Sequence, residues 1–173
     1  MKFDISKRGK GLLGQEMFKI LDEEIIHLEL GQARFTPPVG VKASLISSLK
    51  EKKVGYSSSY GLEILRKNLA TKFNNNNLDL KIENVLISTT NLLITECIHL
   101  LADKTDKIAL FSPTFPTYIA ATKFLENNIV DIPLKFENSF KLTVDDIDEA
   151  IRKKPKVILI NSANNPTGQV YSK

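Results

Sequence analysis

From residue 84 onward the chain alternates short apolar strand-like runs with helical ones, and this alternation restricts the fold more than any other feature. The runs "NVLIST" (84–89), "KIALFSP" (107–113), "IVDIPL" (129–134) and "KVILIN" (156–161) are nearly unbroken and rich in β-branched residues. Strands buried on both faces have that texture. Between them, "NLLITECIHLLADK" (91–104), "TYIAATKFLENN" (117–128) and "TVDDIDEAIRK" (143–153) read as helices. The last of these opens on Thr143, a good N-cap, followed by acidic residues that suit the positive end of a helix dipole. Strand-helix alternation of this kind predicts the α/β class: three layers, α/β/α, around a mostly parallel sheet.

Upstream the texture is helical. Met17, Phe18, Leu21 and Ile25 recur at helical spacing over 15–26. Residues 40–52 read as a second helix and 60–73 as a third, with Leu62, Leu65, Leu69 and Phe73 on one face. "NNNN" at 74–77 reads as an exposed loop. The first ten residues read as a loose arm.

Size and charge narrow the function classes. At 173 residues the chain has the usual length of one domain. Its 24 basic residues are interspersed with 20 acidic ones for a net charge of +4. No basic block stands apart, "KEKK" at 50–53 reads as a solvated helix end, and no nucleic-acid partner is expected. No stretch approaches the roughly 20 apolar residues of a membrane span, and no signal-peptide run follows the basic start. A cytoplasmic protein without a membrane partner is the expectation. The single cysteine, Cys97, has no second cysteine to pair with and is expected in the core. His27 reads as a surface or cap residue and His99 as partly buried. Neither has a Cys or Asp at metal-ligand spacing, so no metal site is expected.

Parallel sheets bind ligands beyond the carboxyl ends of their strands, and the unusual loops fall there: "STTN" after the first apolar run, "SPTFPTY" after the second, "NSANNPTG" after the fourth. Ser88-Thr89-Thr90-Asn91 can serve as helix caps or as a phosphate cup of free backbone N–H groups. Phe115, held between Pro113 and Pro116, can be core or a ring that stacks on a flat heterocycle. Asn165, restricted by the proline after it, can belong to a plain turn or can offer an amide donor to a phenolate-like oxygen. Taken together the loops describe a pocket for a flat phosphorylated heterocycle.

In order, "LELGQARFTPP", "GYSSSYGLEILR", "NVLISTTNLL", "SPTFPTY" and "ILINSANNPTGQVYS" resemble the class I/II pyridoxal-phosphate-dependent aminotransferases of fold type I, from about residue 26 to the end. The resemblance implies pyridoxal 5'-phosphate as cofactor and transfer of an amino group from an amino acid to a 2-oxo acid. It also implies an N-terminal arm and substrate segment at 1–38, and a partial cofactor-binding large domain at 39–173. By position, Thr90 and Asn91 match the phosphate cup, Phe115 the ring that stacks on the pyridine, and Asn165 the donor to the phenolic oxygen at the substrate face. Gly31 matches a glycine near the substrate carboxylate. Tyr56 matches a tyrosine that reaches the cofactor phosphate of the other subunit, which implies a homodimer in the full-length form. The prolines after Ser112 and Asn165 fall where the family often has cis bonds.

Two positions depart from the family pattern: Thr90 stands where the cup usually has glycine, and Arg34 replaces an acidic residue and reads as surface. The family's Schiff-base lysine, the aspartate of the pyridine nitrogen and the arginine of the substrate carboxylate normally follow the NPTG motif at a distance. Lys173 is too close to Gly168 to be that lysine. The expectation is therefore a truncated aminotransferase with no catalytic lysine of its own, inactive alone, with an unpaired apolar sheet edge. The alternatives are a pyridoxal-phosphate-dependent lyase or synthase of the same fold, or a non-catalytic decayed fragment.

Overall fold

The computed structural model describes residues 31, 35–51, 55–75 and 78–171. The helix expected over 15–26, together with His27, Arg34 and Lys173, lies outside them. The chain divides into two compact units, with the division in sequence between Ser88 and Thr89.

The unit that follows Thr89 is built on β1 (Lys107–Ser112), β2 (Asn128–Pro133) and β3 (Val157–Leu159), all parallel, in the order β2-β1-β3. Helix α3 (Thr90–Leu101) precedes β1, α4 (Pro116–Phe124) joins β1 to β2, and α5 (Val144–Arg152) joins β2 to β3. The central strand is apolar on both faces, and its alternation feeds two cores. Ile108 and Leu110 pack with Ile98, Ala102 and Ala121 on the α3/α4 side. Ala109 and Phe111 pack with Ile132, Leu134 and Ala150 on the α5 side. Ile108, Ala109 and Leu110 are at most 1% exposed, and burying an Ile or Leu side chain to that degree contributes about 1.5–3 kcal/mol. The expected three-layer α/β/α arrangement with a parallel sheet is what these contacts form.

Local sequence signals set the helix ends. Thr143 caps α5: its Oγ1 accepts the Asp146 N–H at 3.3 Å, while the Asp146 carboxylate accepts the Thr143 N–H at 2.9 Å. Pro116 opens α4 at a position where its missing N–H costs nothing. Helix α4 ends at Phe124, short of the expected 128, because Glu126 adopts φ 61° and turns the chain into β2.

Among the described residues, the unit up to Ser88 contains α1 (Val39–Glu51), α2 (Glu63–Asn74) and the 3-10 turn Ile82–Asn84. The strand expected over 84–89 is absent: after the turn, residues 85–89 have no regular structure. Part of its backbone is bonded outside any ladder. The Arg66 guanidinium donates from Nε to the Val85 carbonyl and from Nη2 to the Ile82 carbonyl, both at 2.7 Å, and lies 5.2 Å over the Tyr60 ring. The Ile87 N–H donates to the Tyr60 carbonyl at 3.0 Å. The expected apolar face of the third helix is also revised. Leu62 precedes α2, Leu65 and Phe73 are exposed, and Ala70 is the buried residue of that helix.

Cys97 is exposed rather than core, and His99 is exposed rather than partly buried, its Nδ1 3.8 Å from Glu96 Oε2. Ile98, between them, takes the buried position of α3. Among the described residues no helix is long and apolar enough to cross a membrane.

Candidate functional site

At the start of α3, Thr89 occupies the N-cap position in extended conformation, but its side chain makes no capping hydrogen bond. The first helical bond runs from the Leu93 N–H to the Thr89 carbonyl at 3.0 Å. The N–H groups of Thr90, Asn91 and Leu92 therefore precede the intrahelical ladder and are left for an external acceptor. An anion is the favoured acceptor there, because the helix dipole adds to the donors. Thr90 is the first residue of the helix and is not among the positive-φ positions, so its backbone does not require the family's glycine. Asn91 is not a cap either. Its Oδ1 accepts the Thr117 hydroxyl at 3.1 Å.

Beyond β1, Ser112–Pro113 is cis and Phe115 caps α4 with extended backbone. The Phe115 ring is half-buried and meets Tyr118 edge-on, with centroids 5.6 Å apart and planes at 79°. One edge of Phe115 is thereby fixed. Beyond β3, Ser162–Ala163 and Asn165–Pro166 are cis, and Gly168 at φ 71° closes the turn by donating to the Asn164 carbonyl at 2.7 Å. Asn165 is exposed and Asn164 is buried. The Asn164 amide donates to the Pro113 carbonyl at 3.0 Å.

Two hydrogen bonds thus tie the three loops together: Thr117 to Asn91 joins the second loop to the first, and Asn164 to Pro113 joins the third to the second. Thr90, Asn91, Phe115 and Asn165 all lie on these tied loops. Gly31 and Tyr56 belong to the other unit. Gly31 adopts φ 57° with no heavy atom within 4 Å of where a Cβ would stand, and Tyr56 is fully exposed. The residue that sequence reasoning missed is Asn164. Its signal was present as the doubled asparagine, but the pattern credits only the residue before proline.

Burial holds the phenols of Tyr118 and Tyr171 above their ordinary range near 10. The unfolded chain ionises first as pH rises, so the contribution is complete below about pH 10 and is lost on rising through the higher folded values. Thermal midpoints followed from about pH 9 to 11 are expected to fall, and Tyr118→Phe to flatten part of that fall. An unchanged slope in Tyr118→Phe would refute the assignment.

The family model for "Aminotransferase class I and II" matches residues 23–173. A "Probable aspartate aminotransferase" of Methanocaldococcus jannaschii is 30% identical over 161 residues, covering 92% of this chain and 42% of that protein. A "Probable aspartate/prephenate aminotransferase" of Aquifex aeolicus is 33% identical, covering 86% and 38%. Among solved structures, aspartate aminotransferase from Thermus thermophilus with maleate superposes with a TM-score of 0.87 at 23% identity, over 99% of this chain and 48% of that one. Alanine aminotransferase from Pyrococcus furiosus gives 0.85 at 24% identity, over 98% and 47%. At these identities the structures establish the shared fold. The chain spans less than half the length of the curated relatives it matches. The match over 151 of 173 residues (23 through 173) shows that the chain belongs to the class I and II aminotransferases.

Proposed function

We propose that these residues form the phosphate and ring side of a pyridoxal 5'-phosphate site in an enzyme that moves an amino group from an amino acid to a 2-oxo acid. Pyridoxal 5'-phosphate is the cofactor of the family. The observation that carries the reading is the tied sheet edge: uncapped N–H groups at α3, the Phe115 ring and the Asn165 amide on loops joined by hydrogen bonds.

The donor set fits the group. Thr90, Asn91 and Leu92 would offer backbone donors to the phosphate, and Thr117 would hold Asn91 in place. Phe115 would cover one face of the ring and exclude water from it. Asn165 would donate to the phenolic oxygen and favour its anionic form without adding charge. When bound, the cofactor supplies an electron sink for the carbon next to the amino group. Gly31 would lie near the substrate carboxylate, and Tyr56 would reach the cofactor phosphate of a second copy in a cytoplasmic homodimer. In this reading the Schiff-base lysine, the acid of the pyridine nitrogen and the arginine of the substrate carboxylate are not among these 173 residues. The names of the curated relatives direct the first substrate trials to aspartate and prephenate.

Thr90→Pro tests the phosphate site. Proline suits the first helical position, and Thr89 already has the extended backbone that proline demands before it. The change removes one backbone donor and should raise the Kd for pyridoxal 5'-phosphate about tenfold while leaving that for pyridoxal unchanged. Equal effects on both ligands, or none, would refute the cup. The 173 residues produced alone, with cofactor and any amino-acid and oxo-acid pair, should give no turnover. Measurable transamination would show that they contain a complete catalytic set.

A further inference from the structure

Asn164 is 5% exposed, and a polar side chain so buried needs partners. Its amide finds acceptors in two places. Nδ2 donates to the Pro113 carbonyl, 51 residues earlier in the chain, and to Thr167 Oγ1 within its own turn, each at 3.0 Å. Its backbone is committed too, with the N–H donating to the Gln169 carbonyl at 2.8 Å and the carbonyl accepting from Gly168 at 2.7 Å. The Thr167 hydroxyl also accepts the Gln169 N–H at 3.3 Å. Asn165, the next residue, is exposed, and its side chain has no hydrogen-bond partner among the described residues. The Asn164 amide nitrogen and backbone are thus committed to the turn and to the neighbouring loop, while the Asn165 side chain is left to face a ligand.

We propose that Asn164 is the positioning residue of this site, its amide locking the turn that carries Asn165 onto the loop that carries Phe115, so that donor and ring address one planar ligand. The inference rests on the pyridoxal-phosphate reading. The role demands an amide. An aspartate carboxylate accepts but cannot donate to the Pro113 carbonyl, and a leucine of similar shape does neither.

The test uses the protein with pyridoxal 5'-phosphate added, reading its Kd and the pH midpoint of the bound cofactor's absorbance, with circular dichroism to confirm folding. Asn165→Ala removes the donor to the phenolic oxygen and should raise both quantities. Asn164→Asp should raise the Kd about tenfold and move the midpoint the same way. In the double variant, Asn164→Asp should add less than about a twofold further change, because it acts through a side chain already removed. Should Asn164→Asp fail to fold, Thr167→Ala, which spares the Pro113 bond, should give a smaller change in the same direction. Full additivity in the double variant overturns the inference. So does a silent Asn164→Asp, or a silent Thr167→Ala, beside an effective Asn165→Ala, and these results leave the functional reading standing. A wild type that does not bind, or a silent Asn165→Ala, defeats the functional reading and this inference with it.

Discussion

Leu110→Ala is expected to destabilise the sheet unit by about 3 kcal/mol, within the 2–5 kcal/mol typical of emptied leucine sites. Leu110 is 1% exposed, at the centre of the middle strand, paired with Asp131 on β2 and Leu159 on β3. Its side chain belongs to the α3/α4 core with Ile98, Ile108 and Ala121. These neighbours are held on a hydrogen-bonded sheet and two helices, so they can close only part of the space left behind. Ile151→Ala on α5 is the control: Ile151 is 55% exposed, and its loss should cost under about 1 kcal/mol. Urea unfolding with hydrogen exchange at the β1 and β2 amides measures both. Exchange at β1 should accelerate about a hundredfold in Leu110→Ala. Equal, small effects of the two substitutions would mean that β1 is not the centre of this core.

What the sequence made legible follows from which signals are local. Strands β1, β2 and β3 were readable because each apolar run is short, β-branched and closed by turn residues. The α5 start was readable because an N-cap threonine followed by acidic residues is a wholly local signal, and Thr143 and Asp146 complete it as a capping box. The segment 84–89 has the same apolar texture, but a strand also needs a ladder partner, and texture does not report one. Here the competing groups come from Arg66 and Tyr60, distant in sequence. Residues 91–104 are apolar nearly all round, so periodicity could not single out the buried stripe. Ile98 is buried while Leu92, Leu100 and Leu101 are exposed, and Cys97 falls with them outside the core. At the site, the positions of the loops were legible from parallel-sheet logic. The division of labour between Asn164 and Asn165 was not, because it depends on which amide meets the Pro113 carbonyl across the sheet edge.

Gly61→Ala should cost the other unit about 3 kcal/mol, from two separable causes. Gly61 adopts φ 96°, where a side chain is strained by about 1–2 kcal/mol. A Cβ built there would also stand 2.5 Å from Ile87 Cβ and 2.8 Å from its Cγ1, an overlap no rotamer of alanine relieves. Relief requires the 85–88 segment to move away, which breaks the bond from the Ile87 N–H to the Tyr60 carbonyl. Forced overpacking of this kind costs about 1–3 kcal/mol. The two causes respond differently to a second substitution. Ile87→Gly removes the clashing Cβ and Cγ1, so in the Gly61→Ala background it should relieve the overlap and leave the φ strain. The double variant should therefore be less destabilised than the sum of the singles by about 1–3 kcal/mol. Urea denaturation of the four proteins measures that coupling directly. Strict additivity would mean that Gly61 is required for its backbone angle alone, and that the close approach of Ile87 does not hold the segment.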